Sequence, residues 1–437
     1  MTISRRALLR GAAGVTGATV LSGCAGFGGG GGAGSGSTGG TDTLSMVTWG
    51  QDSEQAAFRR LAQAFQERTG ATVDIRIVPF AEMFTTIDAQ LQDGSAPDIF
   101  RVDYPTMGSY STTGQLLDLT DHLDDELTGD LIPAFAEAVA HEGRPYGVPH
   151  QTDTTATVYR TDLLRAAGIT SVPDRLEDAW TWEEFDGVLA RLQDSLPADV
   201  APYTYMWQQG GAFRWLNWLF QAGGRLLTED LTGTAIDSDA GRRALETTRA
   251  LYERQLVPAN SSPKSSIYAD DAFIGGTTAM GALGNFVLPS VETGVGSRFE
   301  WAATYHPRDA RASSDLGGNA LVASQQTGKP ELAGEFLRFM MEPENQRSFC
   351  EETIELPTRR SVAEQELNFA VRPDLAPVFA AQASTITPED VKQVTVPDFG
   401  RINTVLQDQL EQCFVGGRSV EDTLAGITQQ VDDIVGA

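Results

Sequence analysis

Four residues close strand-like segments in positions where they could grip a small polar molecule. Trp49 ends "LSMVTW", Arg101 and Asp103 end "PDIFRVD", and Tyr104 follows it directly. A flat aromatic face gives desolvation with an orientation preference, and carboxylate or guanidinium groups make charge-assisted hydrogen bonds stronger than neutral ones. Any one of the four could be an ordinary surface or core residue; together they suit recognition better than bond breaking. Bond-breaking constellations are missing: there is no H-E-x-x-H and no G-x-S-x-G, and His122, His141, His150 and His306 lack metal-ligand spacing. The pattern G-x-G-x-x-G occurs at Gly26, Gly28 and Gly31, but no strand precedes it, so it is not a dinucleotide site. Neither a catalytic group, a metal nor a cofactor is expected. A secreted glycosidase would need two carboxylates across a scissile bond. Asp103 and Asp153 could face each other in that way, so this stays the lesser alternative.

Those residues need elements to hold them, and the chain alternates strand and helix. After "LSMVTW", Asp52 and Gln55 suit a capping box for a helix through about Arg68, with Ala57, Leu61, Ala64 and Phe65 on one face. "ATVDIRIV" is a second strand, "AEMFTTIDAQLQDG" a helix ended by Gly94, and "PDIFRVD" a third strand. This βαβαβ order calls for a parallel sheet with right-handed crossovers, whose ligands bind beyond the carboxyl ends of the strands. Further on, "TWEEFDGVLARLQ" opens with Thr181 as N-cap and Glu184 as its partner. "AFRWLNWLFQAGG", "AGRRALETTRALYERQLV" and "GKPELAGEFLRFMMEPENQRSF" read as helices. Trp180, Trp182, Trp215 and Trp218 are assigned to packing.

At 437 residues the chain suits two lobes of about 200 each. A formal charge of −27 argues against nucleic acid and against anionic membrane surfaces as direct partners. "SRRALLR" (4–10) matches a twin-arginine export pattern, and Gly11 to Val20 is apolar but too short to span a bilayer. "LSGC" then resembles a lipobox ending at Cys24, the expected lipidation site, so residues 1–23 are assigned to a signal peptide. Residues 24–41 form a Gly/Ser-rich tether of roughly 25 Å root-mean-square reach. The expected location is extracytoplasmic, lipid-anchored to the outer face of the cell membrane. Cys350 and Cys413 remain, with a disulfide between them left open.

Longer signposts run along the chain in the order "GSAPDIFRVD", "GQLLDLTDHL", "YGVPHQTDTTATVYRTDLLRAAGI", "TWEEF", "FQAGGRLL", "TTAMGALGNFVLP", "GGNALVAS", "KPELAGEFLRFMMEPENQ" and "LPTRRSV". This ordered series resembles the family 1, sugar-binding type of ABC-transporter extracellular solute-binding lipoproteins. The resemblance implies an α/β, two-lobed periplasmic-binding-protein-like fold of type II. Each lobe would be a mostly parallel sheet flanked by helices, 42–152 with 316–357 forming one lobe and 153–315 with 358–437 the other. It places "YGVPHQTDTTATVYR" at the hinge, making Gln151, Thr152 and Asp153 the strongest site candidates. At the lobe edges, Trp49, Tyr104, Trp207 and Phe286 are candidates for stacking on a sugar, and Asp103, Asp153, Asn285 and Asn319 for its hydroxyls. Arg101 and Gln208 are second choices. Phe286 is a departure, since many such binders carry Trp there. The implied role is capture of a sugar or oligosaccharide by hinge closure, with delivery by a monomer to permease subunits and, through them, a cytoplasmic ATPase. A polyamine, a polyol or another small solute is the alternative cargo.

Overall fold

Among the described residues nine of eleven short strands build two sheets joined by three chain crossings, and the other two form a small hairpin. In the computed structural model residues 42–436 are described, apart from 209 and 266. The export pattern, Cys24 and the whole tether, residues 24–41, therefore lie outside the described residues.

Thr43–Thr48 (β1), Thr72–Ile77 (β2) and Ile99–Asp103 (β3) are joined by helices Asp52–Thr69 and Phe80–Asp93, and β1 pairs in parallel with both neighbours. A small hairpin, Ala140–His141 (β4) and Arg144–Pro145 (β5), precedes Val148–Gln151 (β6). Thr155–Arg160 (β7), Ala201–Thr204 (β8), Thr278–Gly284 (β9) and Trp301–Thr304 (β10) follow, and the chain returns as Asn319–Ala323 (β11). The first sheet has the order β2-β1-β3-β11-β6 and the second β10-β7-β9-β8. In each sheet one strand runs against the rest: β11 is antiparallel to β3 and β6, and β7 to β9 and β10, while β8 and β9 are parallel. Those reversed strands are the two that begin at a crossing, so they start where the other strands end.

Local sequence explains the flanking helices. Ala57, Phe58, Leu61 and Phe65 recur at helical spacing and are buried against the first sheet. Gly70, at φ +80°, ends that helix by donating its N–H to the Gln66 carbonyl. Its start lies one residue earlier than expected: the Gln51 N–H donates to Glu54 Oε2 at 2.8 Å, and Gln55 instead donates to the Gly50 carbonyl. Thr181 and Glu184 form the expected capping box. Two other helices are broken. "GKPELAGEFLRFMMEPENQRSF" becomes Pro330–Met340 and Pro343–Thr353, because Pro343 cannot continue the preceding helix. "AFRWLNWLFQAGG" starts as a 3-10 turn, Gly211–Trp215, before helix Leu216–Gln221. Cys350 and Cys413 are both buried free thiols. Among the described residues no helix is long and apolar enough to cross a membrane.

The crossings are tied side by side. The Thr152 N–H donates to the Leu356 carbonyl and the Leu356 N–H to the Thr152 carbonyl, both at 2.8 Å. Gly318, at φ +99°, lies so close that a Cβ there would stand 2.4 Å from Thr152 Cα. Residues 359–361, assigned above to the second lobe, still bond to the first: Arg359 pairs with Asp130 at 2.7 Å and Arg360 donates to the Gly129 carbonyl.

Candidate functional site

Polar side chains gather where the strands of the first sheet meet the crossings. Asn319 at the start of β11 is in register with Asp103 at the end of β3 and with Gln151 at the end of β6. Residues in register share a sheet face, so the three side chains form one row. Its hydrogen bonding is incomplete. Both amide atoms of fully buried Gln151 lack partners among the described residues, as does Asp103 Oδ1. Burial pushes the Asp103 carboxyl up to about 6, with Thr106 hydrogen bonds and the Arg214 charge opposing. Gln208 on the second lobe is also buried with both amide atoms unpartnered. Buried polar groups are normally paired, so Asp103, Gln151 and Gln208 read as groups kept open for something else.

Arg101 sits beneath this row. It is 1% exposed, pairs with Glu54 at 2.7 Å and donates to the Trp49 carbonyl at 3.0 Å. Its guanidinium also lies 4.7 Å from the Trp49 ring centroid, within cation–π range. Phe80 and Phe84 meet the same indole edge-on at 5.3 and 5.9 Å. Trp49 is only half-buried, so it is an aromatic platform held from three directions with area left over. Arg101, proposed as a direct contact, supports that platform instead.

The hinge carries a second buried network. Arg214 pairs with Asp315 at 3.3 Å and donates to the Gln208 carbonyl at 3.1 Å. Asp315 also accepts from the Thr155 N–H and hydroxyl, and from Asn217 Nδ2. Asp153 is 9% exposed, and no hydrogen bond to its carboxylate occurs among the described residues. Burial, then the Asp315 and Glu54 charges, raise it to about 7, against the pull of Arg214 and Arg101. Burial likewise pushes Glu355 well up. His150 and His306 are buried and held neutral, down at about 3 and about 4.

Several expected contacts are already spent on the fold. Tyr104 is fully buried, stacks on Phe135 and donates its hydroxyl to the Gln151 carbonyl at 2.8 Å, so it offers no free ring face. The Thr152 hydroxyl donates to the Gly317 carbonyl. Asn285 Oδ1 accepts from the Thr154 N–H, and its Nδ2 donates to the Ile354 carbonyl and to Glu355. Trp207 is buried among Tyr205 and Phe414 and donates its indole N–H to the Tyr252 hydroxyl at 2.8 Å. The Phe286 ring folds back over Gly284, where a Cβ would come within 2.3 Å of it.

Other participants had no sequence signal of their own. Glu54 caps its own helix locally, but its pairing with Arg101, like those of Arg214 with Asp315 and of Glu355 with Asn285, joins residues far apart in the chain. The segment after helix Pro388–Val394 is another. Its Pro397 carbonyl accepts from the Ser109 hydroxyl at 2.9 Å, and its Thr395 carbonyl would lie 2.1 Å from a Cβ on Gly108. It therefore meets helix Tyr104–Ser111, which continues from β3. A groove of about 660 Å³ between helix Asp52–Thr69 and β2 contains none of the site residues.

Comparison with known proteins gives the family and the fold of the chain. The family model for bacterial extracellular solute-binding proteins matches residues 60–376. A lactose-binding protein of Rhizobium radiobacter is 26% identical over 314 residues, 66% of this chain and 68% of that one. The GacH receptor of Streptomyces glaucescens, solved unliganded and with acarbose, superimposes with a TM-score of 0.76 at 22% identity, covering 90% of this chain and 98% of the receptor. An ABC substrate-binding protein of Listeria monocytogenes in complex with cycloalternan gives 0.77 at 21% identity, over 91% and 100%.

Proposed function

Since the chain belongs to the bacterial extracellular solute-binding proteins, we propose that it is the capture component of an ABC importer for a sugar or oligosaccharide. What carries the reading is the row Asp103, Asn319 and Gln151, with unpaired buried amide and carboxylate atoms beside the Trp49 platform. Sugars present apolar C–H faces and a rim of hydroxyls that donate and accept. Trp49 would take a face, and Asp103, Gln151, Gln208 and Asn319 the hydroxyls. The three crossings allow the lobes to hinge, and contacts to both lobes favour the closed form. The closed form would present both rims to a permease, with an ATPase behind it driving import. The relatives named above carry sugar ligands or names, which supports this cargo class.

The same reading makes the chain a monomer tethered through a lipid on Cys24. A globomycin-sensitive shift in the size of the exported chain, lost in Cys24→Ala, is the check on that anchor.

Polyamine cargo is the second reading, favoured by the number of carboxylates at the hinge. The deciding experiment is a thermal-shift panel of mono- and oligosaccharides, polyols and polyamines on the full chain. A ligand at 100 times its Kd adds about 2.7 kcal/mol, or roughly 5–10 °C for lobes of this size. A shift confined to one carbohydrate series is expected. A shift from polyamines alone would replace the cargo, and a flat response throughout would defeat the capture role.

A further inference from the structure

We propose that the cargo is a linear oligosaccharide of about three units or more, and that Phe80 and Phe84 receive its outer units. The inference rests on the sugar reading above and narrows it.

The carboxyl edge of the first sheet leads there. Its strand order is β2-β1-β3-β11-β6, and β1, β2, β3 and β6 all end on the edge where β11 begins. Along that order the edge divides into two kinds of chemistry. Gln151 closes β6, Asn319 opens β11 and Asp103 closes β3, so three neighbouring strands supply hydrogen-bonding groups. Trp49 follows β1 directly, and Phe80 follows β2 after Val78 and Pro79, so the last two strands supply flat apolar rings instead. Phe84 lies one turn along the helix that Phe80 opens, on the same side.

These rings form a surface rather than a core. Trp49, Phe80 and Phe84 are each only partly buried, whereas Met83, Ile87 and Leu91 of the same helix are buried. Phe80 meets the indole at 69° and Phe84 at 68°, and the two phenyl rings meet each other at 85°. Edge-on contact leaves ring faces clear, and Arg101 takes only one face of Trp49.

Length decides the class of cargo. Neighbouring strands lie about 4.8 Å apart, so the edge from Gln151 to Phe80 runs roughly 19 Å. One pyranose ring fills a small part of that span. A monosaccharide held by Asp103, Asn319 and Gln151 reaches Trp49 at most and leaves both phenyl rings in water. A longer chain lying along the edge uses both halves. The polar row takes the hydroxyls of its inner unit, and the rings take the C–H faces of the outer ones.

The test is titration calorimetry of the full chain with linear series of one to four units: α-1,4-glucans, β-1,4-glucans, β-1,4-galactans and N-acetylchito-oligosaccharides. In one series the trimer is expected to bind about tenfold tighter than the monomer or more. Phe80→Leu and Phe84→Leu keep apolar bulk but remove the flat face, and each should cut that gain to about threefold or less. Phe80→Trp should keep it. Asn319→Ala, at the polar end, should weaken every length by a similar factor. A monomer binding as tightly as its trimer overturns this inference and leaves the sugar-capture reading standing. So does a loss in the two Leu variants that is equal at all lengths, because the rings would then only brace Trp49. Binding by no sugar of any length overturns both.

Discussion

At the scale of single residues, the site separates side chains that hold the hinge from side chains left open. Asn285 is the clearest of the first kind, because all three of its side-chain hydrogen bonds end on the crossings. Asn285→Ala leaves the Thr154 N–H and the Ile354 carbonyl buried without partners, at about 1–3 kcal/mol each. A loss of about 2–4 kcal/mol is expected in urea unfolding without any ligand; an unchanged midpoint would mean that those bonds do not hold the hinge. Gln151 is of the second kind, with both amide atoms unspent. Asp103, Tyr104 and Arg101 were readable as a polar cluster at one strand end. Their roles were not, because Tyr104 bonds to Gln151 and Arg101 to Glu54, each far away along the chain.

Among elements, the helix after β3 and the segment after helix Pro388–Val394 meet at Gly108, where there is room for hydrogen alone. A Cβ there would stand 2.1 Å from the Thr395 carbonyl and 2.7 Å from that of Val396, both rigid backbone atoms. Arg311 and Asp390, 2.6 Å apart, and the Leu227 N–H donated to Gln393 tie this segment to the second lobe's elements. Gly108→Ala is therefore expected to prop the lobes apart, overpacking of this kind costing about 1–3 kcal/mol. Cargo affinity should fall about 5- to 100-fold, and X-ray scattering should show the liganded variant more extended than the liganded parent. Wild-type affinity and compaction would sink the idea. Strands β1 to β3 and their helices were legible beforehand because periodicity and capping are local signals. The Pro343 break was legible in principle too, since proline at a helix N-terminus starts a helix more readily than it extends one.

For the whole molecule, the buried carboxylates make stability depend on pH. Folded, Asp153 takes up its proton near pH 7 and Asp103 near pH 6, both well above the ordinary 3.8. Below about pH 4 both are protonated in the folded and the unfolded chain alike. Between about pH 4 and 7 these two carboxyls bind more protons folded than unfolded, so their contribution falls as pH rises, whereas His150 and His306, kept neutral by burial, act in the opposite sense up to about pH 6.5. Asp98 and Asp130, whose hydrogen bonds outweigh partial burial to hold them low, act in the opposite sense only below that window. Between pH 7.5 and pH 5 the cargo-free parent is expected to gain stability relative to Asp153→Asn, by on the order of 2 kcal/mol, because only the parent takes up that proton. Denaturant titrations of both chains at stepped pH check this, and parallel profiles refute it.

By itself the sequence determined the strand–helix rhythm, the order of signposts that resembles a solute-binding family, and the absence of familiar catalytic motifs. These are local or linear properties, written in spacing and residue type. Which polar groups stay free was decided only by the tertiary structure. Asp103, Gln151 and Gln208 are open, while Asn285, Thr152, Tyr104 and Trp207 are spent, because their partners arrive from distant strands and crossings. A hydrogen-bonding group can bind cargo only with capacity that the fold has not already used, and that capacity is set by packing between segments remote in the chain.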